Sequence, residues 1–233
     1  MATLNPSLVE ERLHPGGGSG APPRGEDGGG DGRPNFSFSD RLRRNRIGMA
    51  VALAPILMVF VAFTSAYIVR QGLGEDWRAM QLPNILWINT VILVASSITL
   101  ELARRGLARQ AALAQVPDVP GVAPVQVSAA PWLPITLILG LGFLAGQWMA
   151  WSQLARQGLF ISSNPSSSFF YLLTGAHAAH LAGGVLALAY AAATTLLAQA
   201  WERRRMVVDV TSWYWHFMAV LWIYIFALLQ LAK

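Results

Sequence analysis

Residues 167–199 read SSFFYLLTGAHAAHLAGGVLALAYAAATTLLAQ, thirty-three residues without one aspartate, glutamate, lysine or arginine. A helix of that length reaches about 50 Å at 1.5 Å per residue. The hydrocarbon core of a bilayer is about 30 Å thick and takes about 20 apolar residues to cross. The stretch therefore spans a membrane with length to spare, tilted or projecting beyond it. Four more apolar segments lie around it, at about Ile47–Val69, Pro83–Ala103, Trp132–Leu154 and Val210–Leu231. Pro55 falls inside the first, which a membrane helix tolerates where neighbours re-satisfy the freed carbonyl.

Composition agrees. Of 233 residues 54% are hydrophobic and only 12% charged, about half the charged share of a soluble domain. The expected fold is an all-α integral membrane protein, a bundle of five transmembrane helices occupying residues 41–233. The chain has no cysteine, which excludes a disulfide scaffold, an iron–sulfur cluster and a zinc–thiolate site. Its net charge of +5 comes from arginines that flank the apolar runs, so it is read as setting membrane orientation rather than binding nucleic acid.

Ten of those arginines fall on one side if the chain alternates: Arg41, Arg43, Arg44 and Arg46, then Arg104, Arg105 and Arg109, then Arg203, Arg204 and Arg205. Only Arg70, Arg78, Arg156 and Lys233 fall on the other. The bias places the amino terminus in the cytoplasm and the carboxyl terminus outside. Residues 1–40, rich in glycine and proline, read as a disordered cytoplasmic tail that cannot bury enough apolar surface to offset its ordering entropy. Gly106–Pro131 reads as a flexible cytoplasmic connector.

Ionisable groups inside a membrane are where function is sought first, and few are present. His177 and His180 share one helical face of the fourth span, and His216 lies in the fifth. One reading of these imidazoles is ligation of a b-type haem. Two ligands on the same face of one helix cannot approach opposite faces of an iron, however. Measured from the apolar runs, His180 lies some sixteen residues from the inner end of its span and His216 about six residues into its own. That is a height mismatch of roughly 15 Å. The other reading is that His177, His180 and His216 hydrogen-bond across helices and specify packing. Asn89 and Gln147 are expected to do the same. Gly175, Ala179 and Gly183 form a small-residue stripe opposite the histidines, expected to let a neighbouring backbone come close. Gly142 and Gly146 make a second such pair. Glu101 sits one turn before Arg104 and Arg105, a spacing expected to give an ion pair at the cytoplasmic edge rather than a proton relay.

The segment from Ser168 to His180, with its Thr174-Gly175-Ala176-His177-Ala178-Ala179-His180 core, resembles the fourth-span signature of haem–copper oxidase subunit III. Trp213-Tyr214-Trp215-His216-Phe217, followed by Val220 and Trp222, is similar to that family's final-helix motif. Trp87-Ile88-Asn89-Thr90 with Ala95-Ser96-Ser97 is similar to a third segment, and Gln147 falls where the family places a glutamine. The resemblance runs from about Ile47 to the end, and five spans correspond to the short bacterial branch. It implies a non-catalytic subunit of an aerobic terminal cytochrome c oxidase in the bacterial inner membrane. Such a subunit packs directly on subunit I, with subunit II in the complex. It binds no haem or copper, holds membrane lipid, and supports proton uptake and stability during electron transfer from cytochrome c to oxygen. The positions of three acids found in many members hold Pro55 or Ile56, Ala150 and Ala219. An accessory subunit of a quinol oxidase or nitric oxide reductase fits the same motifs, and a b-type haem anchor or a transporter is the alternative from another class.

Overall fold

The computed structural model describes residues 38–73, 82–113, 131–197 and 200–231. These residues form five helices: α1 Phe38–Leu73, α2 Ile85–Leu113, α3 Trp132–Arg156, α4 Pro165–Leu196 and α5 Trp201–Leu231. Each is long and apolar enough to cross a membrane, so the chain is a multi-pass membrane protein. Val51, Met58, Val91, Ile138, Trp148 and Leu186 are all about two-thirds or more exposed on its outside. In water that surface would aggregate; against acyl chains it is the ordinary exterior.

Three helices run further than their apolar cores. α1 starts nine residues before Ile47 and α5 nine before Val210, while α2 continues ten past Ala103 to Leu113. Hydropathy locates the hydrocarbon crossing, but backbone hydrogen bonding continues through arginine-rich turns whose aliphatic stems lie along the helix. Gly106–Leu113 is therefore helix rather than connector, and the first turn of α1 falls inside the segment read as tail. Residues 1–37 of that tail and 114–130 of the connector lie outside the described residues. α4 starts at Pro165 because Asn164 caps it: its side chain accepts the Ser167 N–H at 3.0 Å, and Ser167 Oγ accepts the Asn164 N–H at 3.3 Å, a reciprocal capping box.

α2 packs on α3 and α5, and α4 packs on the same two helices, closing a four-helix ring. α1 lies outside the ring against α4 and α5. Phe143, Phe170, Trp215 and Trp222 fill the interior. Hydroxyls on the spans find carbonyls on their own helix: Thr64 bonds Phe60, Thr90 bonds Leu86 and Thr174 bonds Phe170. Three indoles bond across helices, Trp151 Nε1 to Thr174 Oγ1 at 3.1 Å, Trp215 Nε1 to Ser96 Oγ at 2.9 Å and Trp222 Nε1 to Thr90 Oγ1 at 3.0 Å.

The close approaches use other glycines than the expected stripe. A Cβ on Gly140 would lie 2.7 Å from Cη2 of Trp215, and one on Gly184 would lie 3.0 Å from Tyr214 Cε1 and 3.2 Å from the Trp215 ring. One on Gly146 would run into the Asn89 side chain. By contrast a Cβ on Gly175 or Gly142 meets nothing within 4 Å, and one on Gly183 meets only the Tyr214 hydroxyl at 4.0 Å. The Gly175–Ala179–Gly183 stripe thus faces away from the ring and seats no helix among the described residues. Spacing by four puts small residues on one face without saying which face turns inward. Gly184, one position further on, is the residue that does.

Candidate functional site

At the arginine-rich end of the bundle three helices meet over buried carboxylate charge. Asp209 of α5 takes Arg46 of α1 in a two-point grip, with both N···O distances 2.7 Å, the fork geometry that guanidinium and carboxylate share. Arg104 Nη1 of α2 also donates to Asp209 Oδ1, at 3.3 Å. The same Arg104 holds Glu101 through Nε and Nη2 at 2.7 and 2.8 Å, and Arg105 Nε adds a third bond to Glu101 at 2.7 Å. The spacing explains it: positions three and four residues on from Glu101 lie on its face of α2. His216 Nε2 of α5 comes to 3.6 Å from Glu101 Oε2, and its Nδ1 is hydrogen-bonded to Ser97 Oγ, one turn before Glu101. Side chains of α1, α2 and α5 are thus joined in one continuous network.

A groove of about 650 Å³ opens beside this network between α1 and α5. Its wall is apolar along Leu53, Leu57, Phe217 and Val220, and its polar end carries Arg46, Arg104, His216 and Ser212. The Ser212 hydroxyl is fully buried and has no hydrogen-bond partner among the described residues. A smaller cavity of about 130 Å³ shares Arg46 and Arg104 with it and adds Arg105, Arg205 and Asp209. Against the four guanidinium groups stand two carboxylates, Asp209 and Glu101, so this end retains positive charge beside an apolar channel. That arrangement suits a ligand with an anionic head and a hydrocarbon tail.

Asp209 is not marked out by the sequence, because the apolar run of α5 begins one residue after it. A signal was available: it lies seven residues, two helical turns, before His216, on the same face. Arg46 read only as an orientation charge, and Ser97 only as part of a motif.

The remaining polar positions lie deeper. Asn89 Nδ2 reaches the Phe143 carbonyl at 3.4 Å, joining α2 to α3. His180 Nδ1 pairs with the Ala176 carbonyl of its own helix at 2.7 Å, and its carbonyl accepts from Tyr214 Oη of α5 at 2.7 Å. His177 and Gln147 make no hydrogen bond among the described residues, contrary to the cross-helix bonding expected of them. His177 packs edge-on to Phe143 and tilted against Trp222, with ring centroids 5.9 and 5.1 Å away. The height mismatch expected between His180 and His216 is absent. His180 lies sixteen residues from the end of α4 at Leu196, and His216 fifteen from the start of α5 at Trp201, so the two are nearly level. Direction separates them instead: His216 turns to Ser97 and Glu101 of α2, while His180 packs against Phe60 of α1. Among the described residues no cluster of three or more metal-ligating side chains of the His, Cys, Asp and Glu type occurs.

Fold and site together define a multi-pass membrane protein whose helices are tied by a charged network at one end of the bundle. The family model for cytochrome c oxidase subunit III matches residues 45–231, and the chain belongs to that family. It is 30% identical over 194 residues to the probable cytochrome c oxidase subunit 3 of Mycobacterium leprae, covering 80% of this chain and 87% of that one. It is 31% identical to the cytochrome c oxidase subunit 3 of Corynebacterium diphtheriae over 77% and 84% of the two chains. The corresponding protein of Thermostichus vulcanus is 27% identical over 79% and 86%. As an oxidase subunit III, the chain is part of a multi-subunit oxidase complex.

Proposed function

We propose that this chain is the non-catalytic subunit III of an aerobic terminal cytochrome c oxidase in a bacterial cytoplasmic membrane. It packs directly on subunit I, with subunit II in the same complex, and carries no haem or copper itself. Its arginine-rich end faces the cytoplasm, the orientation that the charge bias favours. It holds membrane lipid, keeps the catalytic subunit stable and supports proton uptake there. The observation that carries the lipid role is the groove between α1 and α5. An acyl chain fits along Leu53, Leu57 and Val220, with a phosphate at the Arg46 and Arg104 end. The relatives are named for cytochrome c oxidase, which favours that electron donor over quinol.

The test is tagged purification in mild detergent. The chain should bring down a haem-bearing subunit I and a copper-bearing subunit II, together with phospholipid. Expressed without them it should show no Soret absorbance. Ala54→Trp, placed in the groove wall, should lower the phospholipid per complex while leaving haem and copper content unchanged. A stoichiometric chromophore on the isolated chain, or an intact oxidase that lacks the chain, overturns the reading.

A further inference from the structure

We propose that His177 and Gln147 hold a water molecule between α3 and α4, forming an internal hydration site in the middle of the bundle. Both side chains are buried, at 0% and 1% exposure. Both ring nitrogens of His177 and both amide atoms of Gln147 lack a hydrogen-bond partner among the described residues.

The two lie at one level. Gln147 is one turn from Phe143 and one turn from Trp151 on α3. Phe143 sets its ring against His177, and Trp151 Nε1 bonds Thr174 Oγ1 at 3.1 Å, three residues before His177. Those cross-links between α3 and α4 bracket the level at which the buried amide and the buried imidazole both lie.

Several surrounding polar groups have partners of their own. Thr174 donates to the Phe170 carbonyl while accepting from Trp151, and the Trp222 indole N–H goes to Thr90. Asn89 bonds the Phe143 carbonyl, and His180 Nδ1 is paired with Ala176.

Donor and acceptor arithmetic then selects the guest. A neutral imidazole has one N–H and one bare nitrogen, and an amide has one carbonyl oxygen and an NH₂ group. A direct contact satisfies one ring nitrogen and leaves the other unpaired. Water has two donors and two acceptor sites. It can donate to the bare nitrogen while accepting from the amide, leaving the ring N–H and the amide oxygen to meet directly or through a second water. Four unpaired polar atoms in an apolar core cost more than immobilising one water. Buried waters of this kind have two to four polar partners.

The test is a density map of the intact oxidase complex at a resolution where ordered water is visible. It should show a peak about 2.7–3.2 Å from both the Gln147 amide and a His177 ring nitrogen. A map with the amide bonded straight to the ring and no such peak, or with an ion there, overturns the site. Variants give an independent readout: Gln147→Leu, His177→Phe and the pair together, scored by the half-life of subunit retention in warmed detergent. Each single change should shorten it at least about three-fold, and the double change should be no worse than either single. Multiplying losses would refute the shared guest. If the variants do not assemble, the wild-type map alone decides.

Discussion

Gly140→Ala adds one methyl group at the point where α3 meets the Trp215 indole. The new Cβ would sit 2.7 Å from Cη2 and 3.1 Å from Cζ2 of that ring, and 3.4 Å from Cγ2 of Val185. The indole has nowhere to go: Trp215 is fully buried, and its N–H is held by Ser96 Oγ at 2.9 Å. Overpacking of this kind costs about 1–3 kcal/mol, and displacing the indole loses a hydrogen bond worth about 1 kcal/mol. Alanine recovers about 1 kcal/mol of helix propensity. The net loss is about 1–3 kcal/mol, which is about tenfold or more in the folding equilibrium over most of that range. Thermal unfolding of the purified complex, followed by tryptophan emission and retention of the subunit, measures it. Trp215→Phe in the Gly140→Ala background should recover part of the loss by vacating the collision. A Gly140→Ala protein as stable as wild type would refute the packing described for α3 against α5.

Asp209→Asn should loosen α1 from the ring at a cost of about 2 kcal/mol, since it weakens a buried carboxylate's bonds to two arginines. A spin-label pair on α1 and α5, introduced freely because the chain has no cysteine, should report a broader distance distribution. Glu101→Gln should cost less, about 1 kcal/mol or below, because its arginine partners lie on its own helix and Arg105 is largely exposed; chemical denaturation in detergent compares the two directly. Gly175→Leu should leave the isolated chain's melting temperature unchanged, as nothing lies within 4 Å of the added carbon. A loss of partner subunits on purification of the same variant would mark that face of α4 as an intersubunit contact.

Five apolar runs were legible as five helices because the bilayer makes length and hydropathy nearly sufficient. The ends of α1, α2 and α5 were not, since amphipathic arginine turns have no apolar signature yet keep the helix going. Within the site, Glu101 with Arg104 and Arg105 could be read from spacing alone, as all three are on α2. The Asp209 grip could not, because Arg46 lies 163 residues away in the chain and no periodicity connects the two. The glycines show the same divide: a four-residue repeat identified a smooth face at Gly175 and Gly183, but only the placement of Trp215 makes Gly140 and Gly184 the positions where a methyl group does not fit. His177 and Gln147 were recognisable as buried polar groups, whereas their lack of partners within the bundle depends on where every neighbouring hydroxyl and indole points.

The position of α1 outside the ring has a consequence for biosynthesis. The seat it occupies is built by α4 and α5, and its carboxylate anchor lies near the start of the last helix. At about 5–20 residues per second, the ribosome takes roughly ten to thirty seconds to get from Arg46 to Asp209. For that interval the newly inserted α1 lies in the bilayer without its dock, its arginine at the membrane surface. Final closure of the bundle is thus a late event, timed by translation of the last helix.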